Sequence, residues 1–217
     1  MSIRVFLTDD HALVRDGLRL LLETQPDIQV VGAAANGRDA IRQVAQLRPD
    51  IVLMDITMPE LNGIDAAQQI CAASSSAQVI ILSVHSSSEH VSRALRAGAR
   101  GYLLKESAGI EAINAVRTVY GGHRYLSQKI SDQMVDEHLS PGEANASESP
   151  LERLSPRERE IMQLVVEGQS SAEIAHRIFL SPKTVETYRS RLMGKLGVKD
   201  LPGLVRFAIQ HGLTPLE

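Results

Sequence analysis

The sequence is poor in cysteine and in aromatic residues, and it has no long apolar run. Of the 217 residues, one is cysteine, none is tryptophan and 3% are aromatic. Because Cys71 has no second cysteine to pair with, an internal disulfide and a CxxC metal site are excluded, and a reducing cytoplasm is expected. No stretch approaches the roughly 18 apolar residues that suggest a membrane span, and Val5-Phe6-Leu7 is far too short for a signal peptide. We therefore expect a cytoplasmic protein without a membrane partner.

The formal net charge of −3 is unevenly distributed along the chain. Residues 1–130 hold 13 basic and 13 acidic residues, residues 131–152 hold six acidic and no basic residues, and residues 153–217 hold ten basic and seven acidic residues. Taken as a whole, a mildly acidic chain argues against a nucleic-acid partner, because phosphate-binding domains are usually basic. Only the C-terminal segment has the net positive charge that such a partner requires.

The first 125 residues alternate short apolar runs with segments of helical periodicity. Between the first two runs, Val14, Leu18, Leu21 and Leu22 repeat on one face of a helix. Continuous apolar strands separated by helices indicate a parallel sheet that is covered on both faces. We predict a doubly wound α/β domain of the flavodoxin type over residues 1–125, with five parallel strands. Its strands fall at Val5-Phe6-Leu7, Ile28-Gln29-Val30-Val31, Ile51-Val52-Leu53-Met54, Val79-Ile80-Ile81-Leu82 and Tyr102-Leu103-Leu104.

The remaining residues divide into a connecting segment and a helical domain. Residues 126–152 are predicted to connect the domains, and within them residues 140–152 are turn-forming and acidic, which predicts a flexible, self-repelling linker. Residues 153–217 are predicted to form four short helices that contain a helix-turn-helix. The start signals are Ser155-Pro156-Arg157-Glu158, Ser170 with Glu173, Ser181-Pro182 and Asp200, and Gly168 is a stop signal.

Polar residues end four of the five predicted strands. They are Asp9 and Asp10, Asp55, Ser83 and Lys105. If the strand order is 2-1-3-4-5, these residues converge beyond the carboxyl ends of the strands, where such sheets bind ligands. Three carboxylates in one crevice repel each other, and a hard divalent cation such as Mg²⁺ relieves that repulsion.

A carboxylate beside Mg²⁺ can act as a nucleophile toward phosphorus and form an aspartyl phosphate. Lys105 and Ser83 would contact the phosphoryl oxygens, with backbone groups of Ile56 and Thr57 adding further contacts. Each of these residues alone would be an ordinary turn, cap or surface residue. Because four strand ends together carry the groups that phosphoryl transfer needs, a functional site is favoured over four unrelated structural residues.

Three stretches resemble a response-regulator receiver domain. They are Leu7-Thr8-Asp9-Asp10-His11, Leu53-Met54-Asp55-Ile56-Thr57-Met58-Pro59-Glu60-Leu61-Asn62-Gly63 and Ala97-Gly98-Ala99-Arg100-Gly101-Tyr102-Leu103-Leu104-Lys105. The resemblance implies that a sensor histidine kinase phosphorylates Asp55. It also implies that Mg²⁺ is bound by Asp10, Asp55 and the Thr57 carbonyl, and by Asp9 through a water. Ser83 and Lys105 would contact the phosphoryl group, and Tyr102 would be an aromatic switch that repacks inward. Asn62-Gly63 is typical of a loop and a helix start, where Gly63 would tolerate unusual dihedral angles. No chemical role is assigned to His11 or His85.

From Leu154 onward the sequence resembles the LuxR-type DNA-binding domain, and the whole chain resembles the NarL/FixJ response regulators. The resemblance rests on Leu154-Ser155-Pro156-Arg157-Glu158-Arg159-Glu160, Glu173-Ile174-Ala175, Leu180-Ser181-Pro182-Lys183-Thr184-Val185 and Lys195-Leu196-Gly197-Val198. In the predicted helix 182–196, Val185, Leu192 and Leu196 face the core. Another face carries Lys183, Glu186, Thr187 and Ser190. A recognition helix needs such a polar face.

The expected partners follow from this assignment. Double-stranded DNA would be contacted at phosphates by Lys183, Thr184, Arg189, Arg191 and Lys195, and at base edges by Glu186, Thr187 and Ser190. Glu186 has two equally supported interpretations, which are acceptance of a hydrogen bond from cytosine N4 and pairing with a neighbouring cation. A phosphorylation-dependent homodimer is expected through the last helix or the receiver, and RNA polymerase is a further candidate partner.

Two other functions compete with this one. An aspartate-nucleophile phosphatase typically carries a second aspartate two residues after the nucleophile, where this chain has Thr57. A phosphorylation-independent binding protein would have a degenerate pocket, whereas every expected pocket residue is present here. We therefore predict a transcriptional response regulator that accepts a phosphoryl group and is not a turnover enzyme.

Overall fold

The computed structural model describes residues 2–73, 76–139, 150–211 and 213. The chain divides into two compact units, the first with a mixed α/β fold and the second helical. Within the described ranges, no helix is long and apolar enough to cross a membrane.

The described part of the first unit contains six strands and six helices in near-regular alternation. The strands are β1 (Ile3–Thr8), β2 (Ile28–Ala34), β3 (Ile51–Asp55), β4 (Gln78–Ser83), β5 (Gly101–Leu104) and β6 (Tyr125–Leu126). The helices are α1 (Ala12–Glu23), α2 (Gly37–Leu47), α3 (Gly63–Ala72), α4 (Ser88–Arg96), α5 (Ala108–Tyr120) and α6 (Gln128–Leu139).

The strands form one parallel sheet in the order β2-β1-β3-β4-β5-β6. The predicted doubly wound fold and the order 2-1-3-4-5 are therefore confirmed, and the predicted number of five strands is wrong by one. The additional strand, β6, pairs Tyr125 with Gly101 and Leu126 with Tyr102 at the edge of the sheet. Two residues are too few to give a recognisable periodicity, which is why the sequence pattern did not reveal this strand.

Alternation along the strands builds an apolar layer on each side of the sheet. In β1, Val5 and Leu7 face a core that α1 and α5 complete with Leu22 and Val116. Phe6 lies between them and is also fully buried, because successive strand residues face opposite sides. Burial of both faces explains why the strands read as continuous apolar runs.

Part of the predicted connecting segment is regular structure. Residues Gln128–Leu139 form α6, in which Ile130 is fully buried and Lys129 pairs with Glu106 at 2.9 Å. The acids within this segment concealed the helix in the sequence pattern. Most of the predicted acidic linker, residues 140–149, lies outside the described residues, so its proposed flexibility remains a prediction.

Over residues 150–211, the second unit has the four helices that the start signals predict, preceded by a short 3-10 helix at Pro150–Arg153. The helices are α7 (Pro156–Val166), α8 (Ser171–Arg177), α9 (Pro182–Leu196) and α10 (Leu201–Gln210). Their predicted N-caps Ser155, Ser170, Ser181 and Asp200 each accept a backbone N–H of the first turn. Gly168, with φ of 84°, follows the end of α7 as predicted, because a left-handed residue ends a helix readily.

Candidate functional site

The parallel sheet brings the polar strand ends to one edge. Asp9 and Asp10 follow β1, Asp55 ends β3, Ser83 ends β4 and Lys105 follows β5. Because β1, β3, β4 and β5 are neighbours, these side chains meet beyond the carboxyl ends of the strands. Asp9 and Asp55 are only 1% and 3% exposed, so the carboxylates lie largely out of water.

Lys105 is the cation that links two of the carboxylates. Its Nζ lies 2.7 Å from Asp9 Oδ2 and 2.9 Å from Asp55 Oδ2. Burial by itself would lower the pKa of Lys105, but the two adjacent carboxylates raise it on balance, so the side chain stays charged. The position of Lys105 results from strand pairing, because its backbone N–H donates to the Ser83 carbonyl at 2.8 Å.

One lysine does not neutralise the cluster. Burial, followed by the charge of Asp9, raises the pKa of Asp55 from 3.8 to about 7, although Lys105 opposes the increase. Carboxylate and imidazole atoms of Asp9, Asp10, His11 and Asp55 all lie within 4.8 Å of one another. Excess buried negative charge and oxygen ligands at short range fit a hard divalent cation.

His11 belongs to this cluster, although the sequence pattern gave it no role. Its Nδ1 lies 2.7 Å from Asp10 Oδ1 and 3.2 Å from Asp9 Oδ1. Its backbone N–H also donates to Asp9 Oδ1 at 2.9 Å. The available signal was adjacency to Asp9-Asp10, and adjacency alone does not show which way a side chain points.

Position 63 requires glycine because a side chain would not fit there. The reason is not the unusual dihedral angles that the sequence pattern suggests. A β-carbon at this position would lie 1.8 Å from the Asp55 carbonyl oxygen. The Gly63 N–H donates to the Ile56 carbonyl at 2.8 Å, which brings the start of α3 against the end of β3. Thr57 lies in the intervening loop and is half-buried, and the metal-binding role of its carbonyl remains a prediction.

Ser83 is connected to Tyr102 through the backbone of His85. The His85 N–H donates to Ser83 Oγ at 2.9 Å, and the Tyr102 hydroxyl donates to the His85 carbonyl at 2.7 Å. The Tyr102 ring is fully buried, and this burial raises the pKa of its hydroxyl to about 12. The structure thus already has Tyr102 in the inward position, and its movement on phosphorylation remains a prediction.

The second unit presents the predicted helix-turn-helix in α8 and α9. Val185 and Leu192 of α9 are fully buried in a core that includes Ile174 of α8, and Leu196 packs at its edge. Tyr188 packs against the same core. The apolar side of α9 is therefore buried against the core of the domain.

The opposite side of α9 is open to solvent. Lys183, Glu186, Thr187 and Ser190 are all exposed, as the periodicity predicts, and we call these four residues the recognition face. Among the described residues, Glu186 forms no ion pair, and both interpretations of its role remain predictions. Thr187 donates its hydroxyl to the Lys183 carbonyl at 3.0 Å and so presents an acceptor oxygen and a methyl group.

The predicted phosphate-contact residues differ in their side-chain contacts within the domain. Arg189 donates to Ser171 Oγ at 3.0 Å, and Lys195 Nζ lies 2.6 Å from Glu158 Oε2. Thr184 is engaged at the N-cap, where its Oγ1 lies 2.8 Å from Ser181 Oγ. Lys183 and Arg191 are exposed and form no ion pair within the described part of the chain.

Comparison with known protein families identifies both units. Residues 5–117 match the response regulator receiver domain, and residues 152–208 match the luxR family of bacterial regulatory proteins. This chain belongs to the NarL/FixJ response regulators. It is a two-component response regulator that joins a receiver to a LuxR-type DNA-binding domain.

Relatives of this response regulator match it over nearly their whole length. The response regulator UvrY of Escherichia coli K12 is 41% identical over 215 residues, which cover 99% of this chain and 97% of UvrY. The crystal structure of the response regulator ChrA, from a heme-sensing two-component system, is 33% identical with a TM-score of 0.53, and the match covers 97% of this chain and 98% of ChrA. A structure of two RcsB dimers bound to two parallel DNAs is 25% identical with a TM-score of 0.60, covering 99% of this chain and all of that one.

Proposed function

We propose that a sensor histidine kinase phosphorylates this response regulator on Asp55, and that the phosphorylated chain binds DNA as a dimer to regulate transcription. The observation that carries the proposal is the position of Asp55. It is a buried carboxylate at the end of a central strand, 2.9 Å from the ammonium of Lys105 and beside Asp9 and Asp10.

Asp55 would act as the nucleophile in phosphoryl transfer. One carboxylate oxygen attacks the phosphorus of the kinase phosphohistidine, and the P–N bond breaks with its electron pair returning to the imidazole. Attack requires the ionised carboxylate, which a pKa of about 7 leaves only partly populated at neutral pH. A bound cation would lower that pKa and so increase the fraction of reactive carboxylate.

The metal is proposed to be Mg²⁺, held by Asp10, Asp55 and the Thr57 carbonyl, with Asp9 acting through a water. Bound there, Mg²⁺ would supply charge neutralisation for the phosphoryl oxygens. Lys105 would contact one phosphoryl oxygen, and the position of its ammonium, 2.7 Å from Asp9 and 2.9 Å from Asp55, supports this role. Ser83 would donate its hydroxyl hydrogen to another oxygen.

Phosphorylation is proposed to reach the protein surface through Ser83, His85 and Tyr102. If Ser83 turns toward a phosphoryl oxygen, the His85 N–H loses its present acceptor and the loop after β4 must rearrange. The His85 carbonyl also holds the Tyr102 hydroxyl, so the same rearrangement acts on the aromatic ring. A pre-existing equilibrium between two loop arrangements would shift in this way.

DNA binding is proposed to use the recognition face of α9. Glu186, Thr187 and Ser190 would reach base edges, and Lys183 and Arg191 would contact phosphates from the same helix. The RcsB structure with DNA supports this use of the fold, and its dimers support a dimeric complex. RNA polymerase is proposed only as a further partner.

The proposal is tested by measuring binding to random duplex DNA pools with and without beryllofluoride, a phosphoryl mimic, in the presence of Mg²⁺. We expect beryllofluoride to increase both the dimer fraction and the enrichment of specific sequences. Equal enrichment under both conditions would contradict phosphorylation control, and absence of any enrichment would contradict sequence-specific binding.

Substitution of Glu186 should change which sequences are bound. Because its carboxylate is exposed and without an ion pair in the described chain, Glu186→Ala should remove discrimination at one base pair, at a cost of about 1–3 kcal/mol for the preferred base. The measurement is selection of bound sequences from a random pool by the variant and by the unaltered chain. A uniform loss of affinity for all sequences would contradict a role for Glu186 in base readout.

A further inference from the structure

Lys195 does not lie on the recognition face of α9. Successive residues of a helix are separated by about 100°, so Lys195 lies on the same side as Tyr188, seven residues earlier, and far from Ser190, five residues earlier. Tyr188 packs against the core of the domain. Lys195 therefore lies at the border between the recognition face and the core-facing side of α9, with its side chain 43% exposed and its ammonium directed to α7.

The partner of Lys195 is a buried carboxylate at the start of α7. Lys195 Nζ lies 2.6 Å from Glu158 Oε2, and the Glu158 side chain is only 5% exposed. The same oxygen accepts the backbone N–H of Ser155 at 2.7 Å, so it also completes the capping box of α7. Burial opposes ionisation of Glu158, but the hydrogen bonds from Lys195 and Ser155 lower its pKa on balance.

We propose that Lys195 is a positioning residue that fixes the C-terminal half of α9 against the start of α7, and that it does not neutralise a DNA phosphate. The phosphate charge of α9 is then supplied by Lys183 and Arg191, whose side chains form no ion pair in the described ranges. This proposal rests on the proposed DNA binding by α9. It replaces the phosphate contact that charge alone predicts for Lys195.

The ion pair has a geometric consequence for DNA recognition. A recognition helix must enter the groove at a defined angle, because its base contacts are made by a few side chains along one face. The described contacts tie α9 to α8 through Arg189 and Ser171, and to α7 through Lys195 and Glu158. Loss of the contact between Lys195 and Glu158 would let the C-terminal end of α9 shift while the domain remains folded.

The test compares Lys195→Met with Lys183→Met, which removes the same charge from the recognition face. The full chain with beryllofluoride and Mg²⁺ is titrated into two duplexes, one enriched by the unaltered chain from a random pool and one of scrambled sequence. Affinities are measured across salt concentrations, at a temperature where thermal denaturation shows each variant to be folded. We expect Lys183→Met to reduce the salt slope by about 0.9 and to weaken both duplexes alike.

For Lys195→Met we expect an unchanged salt slope and a several-fold loss of affinity that is confined to the enriched duplex. Lys195→Arg keeps a cation beside Glu158 and should restore affinity. Glu158→Gln keeps the charge of Lys195 but weakens its tie, so it should also lose affinity for the enriched duplex. Since both substitutions act on one contact, the double variant should bind no more weakly than either single variant.

Three results would overturn the proposal. A salt slope that falls by about 0.9 in Lys195→Met would assign a phosphate to Lys195. Unaltered or tighter binding by Glu158→Gln would show that the contact between Glu158 and Lys195 does not position α9 for DNA, and this variant decides the matter if Lys195→Met does not fold. Unchanged affinity of folded Lys195→Met for the enriched duplex would show that the ion pair of Lys195 with Glu158 stabilises the fold but does not position α9 for DNA. Failure of the unaltered chain to bind either duplex would instead defeat the proposed function itself.

Discussion

Asp55→Asn is expected to abolish phosphorylation and every response that depends on it. With a small phosphodonor and Mg²⁺, the unaltered chain should gain the mass of one phosphoryl group, whereas the variant should gain none. An amide has no ionised oxygen to attack phosphorus, and the neighbouring carboxylates of Asp9 and Asp10 follow a different strand, β1, and so do not take the place of Asp55. Intact-protein mass spectrometry measures this effect, and DNA affinity with and without the phosphodonor measures its consequence.

Asp16→Asn is the matched control for this experiment. Asp16 is an exposed carboxylate on α1, so its amide variant should be phosphorylated like the unaltered chain. A phosphoryl group that remains on Asp55→Asn, located by peptide mapping to another residue, would contradict the assignment of Asp55. Loss of phosphorylation in both variants would point to misfolding, which circular dichroism of the two proteins distinguishes.

Without metal, the receiver should become less stable as the pH rises from about 4 to 7. The pKa of Asp55 is raised from 3.8 to about 7 in the folded chain, so between these values the folded state binds more protons than the unfolded state. Stability is therefore greatest below the unfolded value and is lost as the pH rises through the folded one. At 1.36 kcal/mol for each pKa unit, the loss has a ceiling of about 4 kcal/mol.

Hydrogen exchange of the β3 amides in the full chain, measured in EDTA, reports this loss locally. Adding Mg²⁺ above pH 7 should restore protection, because a cation bound by the ionised cluster favours the folded state. Asp55→Asn should show neither the pH-dependent loss nor the full Mg²⁺ effect, whereas Asp16→Asn should retain both. Protection of β3 that stays constant from pH 5 to 8 in EDTA would show that the cluster carries no unfavourable charge.

The sequence pattern predicts the pocket well because the strand order alone determines which strand ends lie side by side. Once β1, β3, β4 and β5 are recognised as neighbouring parallel strands, the residues that end them must meet, and no side-chain geometry is needed to expect it. Helix starts in the second unit were equally predictable, since a serine N-cap such as Ser155 or Ser181 acts within four residues. Local rules and strand order are both readable from a linear pattern.

Contacts between distant residues were not predictable in this way. Glu158 and Lys195 are separated by 37 positions, and each has an ordinary local explanation, one as a capping residue and one as a cation on a DNA-binding helix. The pattern predicts only that Gly63 tolerates unusual dihedral angles, whereas the close approach of the Asp55 carbonyl explains the glycine. In both cases the deciding fact is the distance between two packed elements, which periodicity does not report.

The brevity of β6 limits how two receivers can associate. A strand of two residues exposes very few backbone donors and acceptors, so a second sheet could extend this edge through only one or two hydrogen bonds. Short edge strands are a common protection against uncontrolled strand addition. At this edge of the sheet, a receiver dimer is consequently expected to form through side chains on helices and loops, where a switch such as phosphorylation can create or remove complementarity. A continuous sheet through β6, which would persist whatever the state of Asp55, is not expected.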